Sequence, residues 1–263
     1  MEPSSQTLYF QRVRPSLGTL VAIEVALEDE ATALTAIASA FRSIDRVAAL
    51  MHPSAAGSDL ERVSAAAPGA LTPIDAWTYS VLSLAQDLHV ITGGLFDPCT
   101  PEQPGRLHDL DLSVPGHVAR RAPVAIDLGG IAKGFAVDQA VEALKAQGCT
   151  VGLVNAGGDL RVFGEKSRLL VIRPPSGAAL QIELTNAALA VSGPRSAGSP
   201  AEHRGYYLGS TGESVTVKTV AITAPEAIVA DALTKCAMLC TDATTMLALR
   251  KYGARLVDVT AGR

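Results

Sequence analysis

Apolar residues recur along this chain with two periods, and the switches between them mark out its elements. Residues 17–27 (LGTLVAIEVAL) carry the β-branched, two-residue alternation of a strand. From 29 to 50 the period lengthens. Leu34, Ile37, Ala38, Phe41, Ile44 and Val47 recur at helical spacing, which predicts a helix whose apolar face packs on a sheet. His52-Pro53 ends it, 54–58 read as loop, and 59–63 as one helical turn. The next helix is predicted over 73–92, with Pro73 near its start and Gly93-Gly94 capping its end. Residues 96–121 are polar, proline-rich and without period, so they read as loop.

The stretch 126–164 is the most informative. A short buried strand is predicted at 124–127, a turn at Gly129-Gly130, and a helix over 132–147 with Val137, Ala140, Val141 and Leu144 inward. Gly148 closes that helix. Strands at 151–156 and 159–163 are joined by Gly157-Gly158, a two-residue hairpin signal. More strands are predicted at 168–173, 180–184 and 188–191, then a loop over 192–213 and a strand at 215–223. Helices at 225–240 and 241–252 and a strand at 256–259 complete the chain. The expectation is an α+β fold, a mostly antiparallel sheet with packed helices, in one or two lobes of a single domain spanning 1–263.

Composition narrows the function classes. A net charge of -4, with no clustered Lys and Arg, excludes sequence-independent nucleic-acid binding, which needs phosphate neutralisation. No run approaches the roughly 18 to 20 apolar residues of an integral membrane segment. The first fifteen residues lack a basic stretch followed by an apolar one, so the chain as given reads as cytoplasmic, or periplasmic if a leader was removed. Cys99, Cys149, Cys236 and Cys240 show no metal-site spacing and read as free buried thiols. Trp77 and His89 read as packing residues, and His108, Asp109 and Asp111 as a solvated loop.

Small residues beside charges mark the candidate chemistry. Asp127 stands where a strand meets the Gly129-Gly130 turn, either facing a cleft or closing a local turn. Lys133 lies at a helix start, where a cation opposes the macrodipole and calls for an anionic partner, a solvated surface lysine being the alternative. Asn155, Gly157, Gly158 and Asp159 could hold a ligand by backbone amides, and a plain hairpin explains them as well. Asp231, Thr234 and Lys235 share one helix face. Their oxygens suit Mg²⁺, and an Asp231–Lys235 ion pair on a solvated face is the alternative. No phosphate-binding GK[ST] loop, GxGxxG fingerprint or Ser-His-Asp triad is present.

Five segments, in order, resemble the ApbE family, the FAD:protein FMN transferases. The strongest is DLGGIAKGFAVDQAVEAL followed by LVNAGGDLRVFG, within 127–164. The others are RPSLGTLVAIEV at 14–25, GSDLERVSAAA at 57–67, TGGLFDP at 92–98 and APEAIVADALTK at 224–235. The resemblance implies FAD as substrate, Mg²⁺ as cofactor, and an acceptor protein whose threonine receives FMN through a phosphoester. FAD hydrolysis alone, or flavin binding without catalysis, is the alternative. It further implies flavin-nucleotide contacts at Asp127, Gly129, Gly130, Lys133, Asn155, Gly157 and Gly158, and metal ligands at the Gly130 carbonyl and Asp231.

Three departures are visible. The metal-ligand threonine expected one turn after Asp231 is Lys235, so either Thr234 substitutes as a ligand or Lys235 takes over part of the cation's role. The family's H-x-x-D-P-x-T-G segment, which can supply a base, appears only as YYLGSTG at 206–212, with His203 out of register. No catalytic base is therefore assigned. The aromatic segment that usually follows FDP is replaced by 99–106.

Overall fold

The computed structural model describes residues 8–173, 179–193 and 218–259. The chain opens with a hairpin of β1 (Leu8–Ser16) and β2 (Thr19–Leu27), turning at Leu17 and Gly18, which both have positive φ. Those two residues, expected within a strand, form the turn. Because both central positions need positive φ, the connection matches the right-handed twist of the flanking strands. Helix α1 (Glu30–Leu50) follows, capped by the Asp29 carboxylate accepting from the Thr32 N–H. Its buried face is Ala33, Ala36, Ile37, Ala40, Phe41, Ile44 and Val47, so Ala38 turns outward and the small alanines carry the contact.

Helix α2 (Asp59–Ala65) extends the predicted turn, and β3 (Thr72–Pro73) takes the residues expected to begin a helix. Helix α3 (Ala76–Ile91) starts after Asp75, whose carboxylate accepts from the Trp77 N–H, while the Asp75 N–H donates to buried Asp59. Pro73 therefore precedes the helix, and Asp75 nucleates it. The segment expected as loop contains β4 (Leu110–Asp111) and β5 (His117–Arg120), which form a small sheet in the order β3-β5-β4. The strand expected at 124–127 is reduced to a single bridge between Cys99 and Ile126.

Helix α4 (Ala132–Ala146) buries Val137, Ala140, Val141 and Leu144 as predicted, and Gly148 follows its end with φ +82°. After it come β6 (Gly152–Ala156), β7 (Asp159–Phe163), the hairpin β8 (Arg168–Ile172) and β9 (Leu180–Leu184), β10 (Ala187–Ser192) and β11 (Val220–Ala224). Helices α5 (Ala227–Leu239) and α6 (Asp242–Lys251) and strand β12 (Arg255–Val257) end the described chain. Among the described residues the principal sheet has the order β1-β2-β6-β7-β10-β11-β12, every neighbouring pair antiparallel. β8 and β9 pair with each other outside it, rather than continuing one meander.

Alternation assigns the two faces of this sheet. Val21, Ile23, Val154, Ala156, Phe163, Ala188, Ala190 and Ile222 share one core with α1, α4 and α5. Leu160, Val162, Leu189 and Ala221 point the other way, where Ile172 and Leu184 of the β8–β9 hairpin cover them. The parity that sends Phe163 to the helices also sends Asp159 and Arg161 there, and the parity of Ala188 and Ala190 sends Ser192 there. Polar side chains thus enter a packed layer at three places, each needing a partner.

Candidate functional site

Helices α4 and α5 touch through Gly134. A Cβ on that residue would stand within van der Waals contact of the Ala227 carbonyl oxygen and 2.8 Å from the Asp231 Cβ, so only glycine lets the two backbones approach this closely. The contact is tied by the Gly134 N–H, which donates to Asp231 Oδ2 at 3.0 Å. Next to it, Asp138 of α4 caps α5 from outside. Its two carboxylate oxygens accept from the Ala227 and Ile228 N–H groups at 2.9 and 2.8 Å, while the local cap residue Glu226 makes no side-chain cap bond. Arg161 of β7 donates to the same carboxylate at 2.8 Å. Burial pushes the Asp138 carboxyl upward, and the two N–H donors and Arg161 pull it back.

On this frame stand two ion pairs, one buried and one whose lysine is partly exposed. Lys133 Nζ, from the first turn of α4, donates to Asp159 of β7, and Lys235 Nζ donates to Asp231 within α5. Asp231 and Thr234 are 0 % exposed, Asp159 is 2 % and Lys235 is 5 %. Burial and the neighbouring Asp231 charge push the Asp159 carboxyl up to about 6, against the pull of Lys133 and Lys235. Both pairs therefore feel one field, two carboxylates and two ammoniums with no net charge. Ser192, at the end of β10, links to the second pair. Its Oγ lies 2.8 Å from Thr234 Oγ1 and accepts from Lys235 Nζ at 3.3 Å.

The structure thus brings together Lys133, Gly130, Asp231 and Thr234 of the expected set, with Gly130 lying against the methylenes of Lys235. Asp159 and Ser192 join them. Lys133's placement signalled a missing anion, but the anion is supplied 26 residues away by strand parity. The Asp231–Lys235 pair, given as the alternative to a metal site, is present, and it is buried where that alternative put it on a solvated face.

Asp127 closes its own turn, Oδ1 accepting from the Gly129 N–H at 2.7 Å. It borders an open cavity of about 600 Å³ whose lining also includes Ser54, Thr100, Glu102 and Arg120, and none of Lys133, Asp159, Asp231 or Lys235. Arg120 is buried there. Its Nε donates to the Ala66 carbonyl at 2.7 Å and its Nη1 has no hydrogen-bond partner among the described residues. Asn155 Oδ1 accepts from the Gly158 N–H at 3.0 Å, so that amide is spent within the hairpin. Gly157 has φ +67° and leaves no room for a Cβ beside Thr19. His203 and the YYLGSTG segment lie outside the described residues.

A magnesium ion expected at Gly130, Asp231 and Thr234 does not fit this donor set. The Asp231 carboxylate is occupied by an ammonium and a backbone N–H. Thr234 Oγ1 is engaged with the Asp231 carbonyl at 2.7 Å and with Ser192. Mg²⁺ needs several oxygen ligands at short range, and an ammonium supplies none. Among the described residues no group of three His, Cys, Asp or Glu side chains could hold a metal, and His108, Asp109 and Asp111 do not form one.

Comparison with known proteins identifies the family and the fold. The model of the ApbE family matches residues 17–103 and 102–256. A FAD:protein FMN transferase of Rhodobacter capsulatus is 31% identical over 179 residues, covering 56% of this chain and 34% of its own length, so the chain spans about a third of that relative. The flavinyl transferase ApbE of Pseudomonas stutzeri, in its apo form, superposes with a TM-score of 0.80 at 18% identity, covering 97% of this chain and 92% of that one. The flavin transferase ApbE of Vibrio cholerae gives 0.79 at 21% identity, covering 95% and 93%. At such identities these likenesses establish the fold.

Proposed function

The chain belongs to the ApbE family, and on that premise we propose that it cleaves FAD and attaches FMN, through a phosphoester, to a threonine hydroxyl of an acceptor protein. In this reaction the hydroxyl oxygen attacks the flavin-side phosphorus, the bond to AMP breaks, and the hydroxyl proton is released. The family match over both halves of the chain carries the reading. The site supports it in kind. Phosphoryl transfer depends on positioning and on cations placed against phosphate charge, and Lys133, partly exposed, and Lys235, buried, bring two ammoniums to one site. Gly129, Gly130 and Lys133 would hold the nucleotide beside α4, with Asp127 at the cavity edge and Asn155, Gly157 and Gly158 shaping the hairpin opposite. Mg²⁺ was expected to supply charge neutralisation, but the Asp231 carboxylate it would need is held by Lys235.

The test is to incubate the purified full chain with FAD and a panel of threonine-containing peptides, then measure peptide mass and released AMP. AMP together with a peptide heavier by one FMN less water is the expected result. FMN and AMP with unmodified peptides would make the chain a hydrolase. Unchanged FAD under all conditions would refute the transfer.

A further inference from the structure

The Lys235 ammonium stands where a divalent cation was expected, and it engages the Asp231 carboxylate directly and the Thr234 hydroxyl through Ser192. It occupies the Asp231 carboxylate, it donates to the Oγ of Ser192, which in turn is hydrogen-bonded to Thr234, and its methylenes lie against Gly130. An Asp followed four residues later by Lys is the favoured orientation for a helical ion pair. Here it is also sealed, with Asp231 0 % and Lys235 5 % exposed. A buried carboxylate and ammonium that have lost water are strongly bound to each other, and removing either partner strands the other charge. A free Mg²⁺ would therefore have to expel an ammonium from its carboxylate and find its remaining ligands among groups already bonded.

Charge gives the same answer. Asp159, Asp231, Lys133 and Lys235 sum to zero. Adding a divalent ion to the nucleotide-free set would leave two positive charges uncompensated by these four described residues in the layer between sheet and helices, a cost that burial makes large. Resting on the transferase reading above, we propose that Lys235 is the resident cation of this site, a covalently attached positive charge that replaces the divalent metal, so that flavin transfer by this chain needs no Mg²⁺. Its role is electrostatic. From its place against Asp231 the ammonium would act through its field on the negative charge that gathers as the FAD pyrophosphate bond breaks, and it transfers no proton.

Two measurements on the full chain test this, one of them independent of turnover. Nucleotide-free protein, freed of metal with EDTA, is titrated with Mn²⁺ while the electron paramagnetic resonance signal of free Mn²⁺ is followed. FAD conversion is then compared in EDTA and in Mg²⁺. The wild-type chain is expected to leave the Mn²⁺ signal undiminished at one equivalent and to convert FAD equally well in both buffers. Lys235→Thr, which puts a hydroxyl one turn from Asp231, is expected to take up Mn²⁺, and Lys235→Thr with Asp231→Asn to lose it again. Lys235→Met should slow FAD conversion by about 100-fold, the scale of losing one preorganised electrostatic donor. Stoichiometric Mn²⁺ uptake by the wild-type chain, or conversion abolished by EDTA and restored by Mg²⁺, overturns the inference. Failure of folded Lys235→Thr to bind Mn²⁺ also overturns it, because the ammonium would then not be what excludes the metal. If Lys235→Thr does not fold, the wild-type titration alone decides. If FAD is never converted, the transferase reading fails, and the Mn²⁺ comparison still decides whether Lys235 holds the metal's place.

Discussion

Replacing Gly134 by alanine adds one methyl group where α4 and α5 touch. The new carbon would lie 2.8 Å from the Asp231 Cβ, about 1 Å closer than carbons settle in a packed interior. It would also press on the Ala227 carbonyl oxygen. Neither neighbour can swing aside, since one is backbone and the other is the root of a fully buried side chain whose carboxylate holds Lys235. Overpacking of this kind costs about 1–3 kcal/mol. Pushing α5 away also breaks the 3.0 Å bond from the Gly134 N–H to the Asp231 carboxylate, and a hydrogen bond to a charged group is worth about 1.5–3 kcal/mol. Alanine's better helix propensity returns about 1 kcal/mol. The net expectation is a destabilisation of about 2–5 kcal/mol. In a chain of this size each kcal/mol lowers Tm by about 2–4 °C, so a fall of roughly 10 °C should appear in a thermal scan followed by circular dichroism. A Tm equal to or above wild type would refute the reasoning, because it would mean that α5 can step back from α4 at no cost.

Two further outcomes follow from the same layer. Asp138→Ala strips the α5 cap and leaves Arg161, already with an unpartnered buried Nε, only the more distant and exposed Glu142 carboxylate at 3.8 Å; a loss of about 3–5 kcal/mol in urea unfolding is expected, and Asp138→Asn should cost less because its amide oxygen still accepts one N–H. An alanine variant as stable as the asparagine one would show that the retained acceptor does nothing, and an asparagine variant as stable as wild type would show that the charge and the second acceptor do nothing. The Asp159 carboxyl, raised to about 6 by burial and by Asp231, keeps a proton in the folded state that the unfolded chain has released, so its contribution to stability is present below the ordinary carboxyl pKa and is lost as pH rises through about 6. Asp159→Asn should remove that downward slope, and identical slopes for variant and wild type between acid and neutral pH would count against it.

What was legible in the sequence was what neighbours along the chain decide. The α4 amphipathic face, the Gly157-Gly158 hairpin and the end of that helix at Gly148 were read correctly because each depends on residues within a turn or two. β1 was missed because it is an edge strand, mostly exposed, and gives no alternation of apolar and polar positions to detect. β3, β4 and β5 are short strands in proline-rich sequence, held by pairing between distant segments that no local pattern records. The site divides the same way. That Lys133 needed an anion could be inferred from helix position, but Asp159 and Asp138 find their partners by strand parity and helix packing, across 26 and 89 residues.

Asp231 and Lys235 show how much depends on where a pair lies rather than on which residues form it. Four residues apart on a helix, the same two side chains in water would make a pair worth about 0.3–0.5 kcal/mol and leave the carboxylate available to an incoming cation. Enclosed by Ala227, Gly134, Thr234 and Ser192, they have lost the water that would let them separate. Burial thereby turns a readily exchanged partner into a fixed one. α5 is buried at every position from Ala227 to Met238, so the helix cannot expose Asp231 without unpacking from both α4 and the sheet. A metal-binding carboxylate needs one open side, and in this chain Lys235 closes it.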